Sequence, residues 1–512
     1  MSNKELDPLQ QIQSNYQQLN SQIDQLQQQQ NVLAKYLSGL KQRLDSLSEQ
    51  FDNRPEVQQL VRLQNALAKL QELNVFITNA QNLSSGINID NPGRDSSINQ
   101  ASEPNVTPEE FWRRYNNGQY DFTGYRLAKL NLSSQSLNAK NVNFSQANLV
   151  QANLRKVNFA LVNFSSANLQ NANLYKAILE QTNLSGANLE KADLRQAIFS
   201  KTNLEQANLR EANLRKIDLS FQVNLEEANL SGADLSNGNL CKVNFLNADL
   251  SNANLSRTIL FATHFENANL QGANLHQAAY DLSTVFPDDC NLTESGAYLI
   301  APNTTLLRAN LAGYNIAEVN LIQANLQEAN LYATNLSGAN LSEANLNGAN
   351  LRKANLNGAI LLQANLSSAN LSEANLTHAN LIAANLTEAN LSRASLDGAN
   401  LIAANLSHAN LKNTHLDKIN FSGAILEGAN LIGAVFQGNL SGADLSKANL
   451  CGASFSNANL NAVNFTSADL RGADLSNANL EKANLTQANL SGVNLAGANL
   501  SLAIMPDGSV HD

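Results

Sequence analysis

From about Phe122 to Met505 a large apolar residue, nearly always Leu, Phe or Ile, returns at every fifth position, with a small residue, usually Ala, two places before it. Residues 339–356, ANLSEANLNGANLRKANL, repeat A-N-L-x-x without a break. Five is the period of neither an α-helix nor a flat strand. Two inward residues per five, one small and one large, suit a chain that turns a corner in every unit. The intervening Asn or Asp supports turns by bonding nearby backbone groups and by tolerating left-handed geometry. Each Leu buried this way is worth about 1.5–3 kcal/mol against exposure. Such a chain grows by adding units to one stack, so its 512 residues need not divide into several cores.

A different pattern precedes the array. From Leu9 to Phe51 apolar residues alternate at steps of three and four, through Leu19, Ile23, Leu26, Leu33, Leu37, Leu40 and Leu44, with Gln30 as the one polar member. This heptad seam predicts a coiled coil, and a polar seam residue fixes register and strand number. Pro55 ends it, and a shorter ladder follows through Leu60, Leu63, Leu67 and Leu70. An intramolecular hairpin would leave much of the longer seam wet, so homo-oligomerisation through the N-terminal helices is expected. Residues 81–106 carry Asn, Ser, Gly and Pro without periodicity and read as a flexible linker. Thr107-Pro108-Glu109-Glu110 then combines an N-cap, a proline at the first helical position and acids in the first turn. Phe111, Trp112 and Tyr115 give that helix an aromatic face suited to covering one end of a solenoid core.

The triplets Ala147-Asn148-Leu149, Ala167-Asn168-Leu169, Ala187-Asn188-Leu189 and Ala339-Asn340-Leu341 carry a resemblance: the chain looks like a pentapeptide-repeat protein of the A(N/D)Lxx type, with a cyanobacterial flavour. The resemblance implies an all-β right-handed quadrilateral β-helix, four repeats to a coil, with Ala and Leu inward, here joined to the N-terminal helical coiled coil. The expected order is 1–80 helical, 81–106 linker, 107–121 capping helix and leading turn, 122–280 first β-helical segment, 281–308 non-repeat interruption, 309–505 second segment and 506–512 C-terminal turn and tail. Pro287 and Pro302 bracket the interruption, which reads as a loop between two rod segments. The phase gains a residue around Phe221, loses one between Phe436 and Leu440, and slips near Val142.

The array offers little to chemistry. The six histidines form no ligand-spaced pair, and the three cysteines, 241, 290 and 451, are far apart and read as reduced thiols. No nucleotide-binding or hydrolase motif occurs, so no enzyme activity, metal or cofactor is expected. The start shows no signal-like apolar stretch, and no run of about 18 apolar residues predicts membrane insertion. With a net charge of −10, nonspecific nucleic-acid binding is disfavoured and a cytoplasmic location expected.

Two readings of function remain. One is an acidic DNA mimic binding gyrase or another DNA-binding protein, as the resemblance allows. The repeat aspartates 193, 218, 234, 249, 444, 469 and 474 are too few for it, and no two stand twenty residues apart. The other is a non-enzymatic scaffold or regulatory protein–protein interaction module with a coiled-coil handle. For that reading Leu362, Ile382 and Ile402 stand out, each following a central Leu at twenty-residue intervals and each expected to face water, with Ala383 and Ala403 extending the stripe.

Overall fold

The computed structural model describes residues 105–135, 137 and 142–512. The seam 9–51 and the other residues up to 104 lie outside that set.

The described chain opens with α1, Pro108–Asn116. Thr107 is extended and its hydroxyl oxygen accepts from the Glu110 N–H at 3.2 Å, satisfying one of the donors a helix start leaves open. Glu110 in turn accepts from Arg113 Nε at 2.7 Å and Arg114 Nε at 2.5 Å. Phe111 and Tyr115 are buried and Trp112 is half-buried. The Phe111 ring lies 4.8 Å from Phe122 and 6.0 Å from Phe144, which are interior residues of the coils that follow. α1 therefore lies against the first rungs of the core.

Beyond it the chain is a parallel β-helix. Each repeat supplies one bridging residue paired with its counterpart a coil later, as in Asn148↔Asn168, Asn153↔Asn173 and Asn163↔Asn183. Four such bridges per twenty residues make a four-sided coil. On one side Leu149 N–H donates to Asn168 O at 2.7 Å, Gln151 N–H to Gln170 O at 2.9 Å, and Asn168 N–H to Ala147 O at 2.9 Å. The two residues after each large apolar one form a corner, closed where Ala152 N–H donates to Leu149 O at 3.0 Å. The left-handed conformation expected of Asn falls elsewhere, on the second corner residue: Gln151, Lys156, Leu161 and Ser166 all have φ between 55° and 65°. Asn stays extended and acts through its side chain. Asn163 Oδ1 accepts from Ser165 N–H at 3.1 Å, holding the corner, while its Nδ2 donates to Asn143 Oδ1 at 3.0 Å on the preceding coil. One amide thus supports both the turn and the ladder.

Inside, Ala and Leu stack almost without exposure. Where the first segment carries Phe, the rings stack too, Phe144 on Phe164 at 5.2 Å and Phe245 on Phe265 at 5.1 Å. Threonine in the small inward slot is tolerated because its hydroxyl reaches the coil below: Thr182 donates to Phe159 O at 2.9 Å and Thr334 to Leu311 O at 2.7 Å.

The phase slips are absorbed locally. Asn203 pairs with Asn224 across the extra residue, leaving Phe221 67% exposed. Ile425 pairs with Asp444 across the missing one. There β5 (His415–Asn420) and β6 (Val435–Asn439) shift register, and Gly438 approaches Ile419 so closely that a Cβ would meet its carbonyl oxygen at 2.2 Å. Asp121↔Asn143 carries the slip near Val142.

The interruption is not a simple loop. His264 pairs with Val285, and β3 (Ala279–Tyr280) pairs in parallel with β4 (Tyr298–Leu299), so two sides keep the ladder. The buried core divides here, with one cluster running from Phe111 to Ala278 and the other taking in Ile259, Ala279 and the residues from Ile300 to Ala488. Arg257 clamps the junction. Its Nη1 donates to Gln277 Oε1 and its Nη2 to Ala312 O, both at 3.0 Å, while its guanidinium lies 5.4 Å from the Tyr314 ring centroid. The Tyr314 hydroxyl donates to Gln277 O. Thr305 pairs with Asn325, so regular repeats resume shortly before residue 309. At the far end Pro506-Asp507-Gly508 turns the chain back, and Val510 pairs antiparallel with Ile504.

Candidate functional site

The ladder and the core occupy three residues of every five, so the two corner residues are the main variable surface. Corners one coil apart stack about 4.8 Å from each other. Each edge of the rod is therefore a column read at twenty-residue intervals.

On one edge of the second segment the column runs Ser342, Leu362, Ile382, Ile402, Ser422. Glu343 N–H donates to Leu362 O at 2.7 Å, Gln363 N–H to Ile382 O at 3.0 Å, and Ala383 N–H to Ile402 O at 2.9 Å. The three aliphatic residues therefore do share an edge on successive coils. They do not stand free in water as expected: all three are half-buried, because each is flanked along the column by the next. Ala383 and Ala403 are exposed. The stripe is a stack with an apolar margin rather than an open patch.

The interior holds no reactive centre among the described residues. No group of three or more His, Cys, Asp or Glu could hold a metal ion, and no buried side-chain polar atom lacks a hydrogen-bond partner. His378 and His408 sit at diagonally opposite corners, thirty residues apart. Burial pushes the Cys241 thiol up to about 11, and burial likewise raises Cys290 and Cys451, so all three stay protonated at neutral pH. No described helix is long and apolar enough to cross a membrane.

One feature escaped the sequence reading. In the first segment, the edge between the sides bridged at Asn153 and Asn158 carries Arg155, Lys156, Lys176, Arg195, Arg215 and Lys216, and no carboxylate occupies a corner position along it from Arg155 to Gln277. Tyr175 sits among them. The Arg155 guanidinium lies 5.1 Å from its ring centroid, the Lys176 ammonium 5.5 Å and the Arg195 guanidinium 5.7 Å. The diagonally opposite edge is acidic, with Glu205, Glu226, Glu227 and Glu266. A net charge summed over the chain hides this segregation. Corner residues read every twenty positions, as for Leu362, Ile382 and Ile402, would have found it.

The pentapeptide repeats family model matches overlapping stretches that together run over residues 143–215, 224–279 and 304–505. Its gaps fall on the Phe221 bulge and the interruption. Among solved structures, HetL, a pentapeptide repeat protein involved in heterocyst differentiation regulation from the cyanobacterium Nostoc sp. strain PCC 7120, is 38% identical over 41% of this chain and 92% of its own, with a TM-score of 0.36. The pentapeptide repeat protein alr5209 of Nostoc PCC 7120 is 34% identical over 19% and 84%, with a TM-score of 0.15. Rfr23 of the cyanobacterium Cyanothece 51142 is 33% identical over 24% and 64%, with a TM-score of 0.12. No curated protein matches the chain.

Proposed function

The chain belongs to the pentapeptide repeat family, whose fold is the right-handed β-helix, and from that premise we propose that it is a non-enzymatic scaffold or regulatory protein–protein interaction module. One observation carries the reading. Backbone hydrogen bonds and inward side chains are spent on the ladder, while the corners differ in chemistry from edge to edge and from segment to segment. Rigid columns of different side chains at a fixed pitch suit recognition of protein surfaces. In this proposal residues 9–51 supply a coiled-coil handle that makes the protein a homo-oligomer, and it works in the cytoplasm on a protein partner.

The test is chemical crosslinking of the full-length protein in its native cell, followed by mapping of linked residues. Crosslinks from corner residues to one stoichiometric protein support the module. Turnover of a small molecule by the purified chain, with no such protein, would reject it. The aliphatic stripe has its own check: Ile382→Glu with Ile402→Glu should abolish partner binding if that edge is used. Removing residues 1–80 should leave a folded, monomeric rod in light scattering. The DNA-mimic reading draws less support, because every repeat aspartate has Asn rather than Asp at the next rung of its column. Inhibition of gyrase supercoiling by the purified protein would revive it.

A further inference from the structure

We propose that the basic edge of the first segment, together with the side of the rod next to it, is the docking site for an acidic amphipathic helix of a partner protein. The proposal rests on the interaction-module reading above and names the chemistry of one partner.

The edge is a preorganised cation ladder. Tyr175 gathers Arg155, Lys176 and Arg195 over its ring, and its hydroxyl donates to Gln196 Oε1 at 3.1 Å. Arg195 is paired with Asp193 at 2.7 Å and Arg215 with Asp234 at 3.7 Å. Among the described residues Arg155, Lys156, Lys176 and Lys216 have no carboxylate in ion-pair range, and all four are exposed. Three of the four successive coils, those of Lys156, Lys176 and Lys216, thus present positive charge that no ion pair neutralises.

The side next to this edge is apolar over two coils, where the other sides bridge through amides or, at Asp193, through a carboxylate. Its bridging column runs Asn158, Ile178, Ile198, Asp218, with β1 (Ile178–Glu180) paired to β2 (Ile198–Ser200). Ile178 is half-buried and Ile198 is 49% exposed. Across that side, on the next edge, stand Leu161, 42% exposed, and Phe221, lifted out by the bulge. The Lys201 N–H donates to Phe221 O at 2.8 Å, so the bulged residue is held in the ladder by its backbone while its ring is left in water. Cations, aliphatic side and exposed aromatic lie side by side over the same coils.

Three occupants compete for such a surface. A second copy could offer its acidic edge, whose rungs have the same pitch. That edge is diagonally opposite the basic one, so the contact would be head-to-tail between unlike surfaces and would not close. A single strand of nucleic acid would satisfy the cations and stack a base on Phe221, but it has no use for the aliphatic Ile178, Ile198 and Leu161. An amphipathic helix lying along the rod satisfies both. Its turns advance by about 5.4 Å, close to the roughly 4.8 Å between coils. The rungs from Arg155 to Arg215 span about 14 Å, which is about three helical turns. Carboxylates on successive turns would meet the cation ladder, and the adjoining apolar stripe of the same helix would cover Ile178, Ile198 and Phe221.

The experiment uses the full-length protein and a fluorescent helical peptide of about eighteen residues, with glutamates on successive turns along one face and leucines along the neighbouring face. Anisotropy is read for this peptide, for a sequence-shuffled version and for a single-stranded RNA of matched charge. The expected result is saturable binding of the amphipathic peptide alone. Arg155→Glu with Lys156→Glu and Lys176→Glu should weaken it at least tenfold, and Phe221→Ser severalfold, with unchanged melting curves for both variants. Binding of RNA or the shuffled peptide as tightly as the amphipathic one overturns the proposal, as does peptide binding that these variants leave unchanged. Absence of peptide binding also overturns it, while the crosslinking test above still decides separately whether the protein is an interaction module.

Discussion

The two rod segments share one ladder geometry and differ in nearly everything attached to it. From Leu321 to Leu411 every large inward residue is Leu, and the outward amides run in columns such as Asn345, Asn365 and Asn385, joined Nδ2 to Oδ1 at 3.2 Å and interrupted in that stretch by Ile360 and Ser395 alone. The first segment mixes Leu with Phe144, Phe159, Phe164, Phe199, Phe245 and Phe265, replaces bridging amides by Ile178 and Ile198, and carries a bulge. Its ladder continues nonetheless. Backbone hydrogen bonds and stacking of like on like fix the coil, while the corners are free to diverge. The second segment shows the ladder at its most uniform, and the first shows how much surface chemistry that ladder tolerates.

The sharpest way to break the comparison is to attack the uniform core. Leu346→Lys puts a charge among fully buried leucines and should cost roughly 4 kcal/mol or more. Guanidinium unfolding followed by circular dichroism should show the second segment melting early while the first persists. A smaller effect separates the two interiors. Leu366→Phe forces a ring into a column of leucines and should cost about 2 kcal/mol. Phe164→Leu, in a mixed column, should cost about 1 kcal/mol. Equal costs would mean that the columns are equally plastic.

The junction sharpens the comparison from another side. Arg257→Met removes three charged hydrogen bonds, to Asn237, Gln277 and Ala312, and the contact with Tyr314, and should cost about 1.5–3 kcal/mol. Calorimetry should then resolve two transitions where the parent protein gives more nearly one. At the amide columns, Asn365→Asp loses the donor to Asn345 while keeping the acceptor for Asn385, and should cost about 1 kcal/mol. Adding Asn345→Asp should cost more than the sum of the two, through like charges on adjacent rungs. The smallest effect concerns Asp469, which Arg471 Nε and Nη2, at 2.8 and 2.7 Å, hold down to about 2. Because its folded-state value is depressed, its stabilisation is present above the ordinary aspartate range and lost as pH falls towards 2. Arg471→Gln should move the NMR titration of Asp469 back up and remove that stabilisation, so the variant is slightly less stable than the parent at neutral pH and the two converge as pH falls towards 2.

Much of this was legible in the sequence, and for a physical reason. Burial demands a small and a large residue at set places, so the five-residue period shows the coil, the gain at Phe221 and the loss before Leu440 directly. The corner geometry was less legible. Left-handed φ falls on Lys156, Gln151 or Leu161 as readily as on glycine, because three ladder bonds per repeat outweigh a local cost of about 1–2 kcal/mol. Side-chain identity therefore leaves no mark of it. The partial burial of the Leu362, Ile382 and Ile402 stripe is hidden from the sequence for a related reason, since a residue that points outward is still covered by its neighbours along the column. At the interruption no period exists to read, and Arg257 and Tyr314 meet only through the fold.

The bridging amides impose a grammar on how this chain can change over generations. Asp234, Asp249, Asp444 and Asp474 each accept from the Asn one rung on, namely Asn254, Asn269, Asn464 and Asn494. A carboxylate can receive that bond but cannot pass one on, so an Asn-to-Asp replacement is tolerable only while the next site in the column keeps its amide. Once one such change is accepted, the residue twenty positions further on is no longer free to make the same one. Substitutions along the rod are thus linked at a distance that no local sequence window reveals, and their fitness depends on the order in which they arrive.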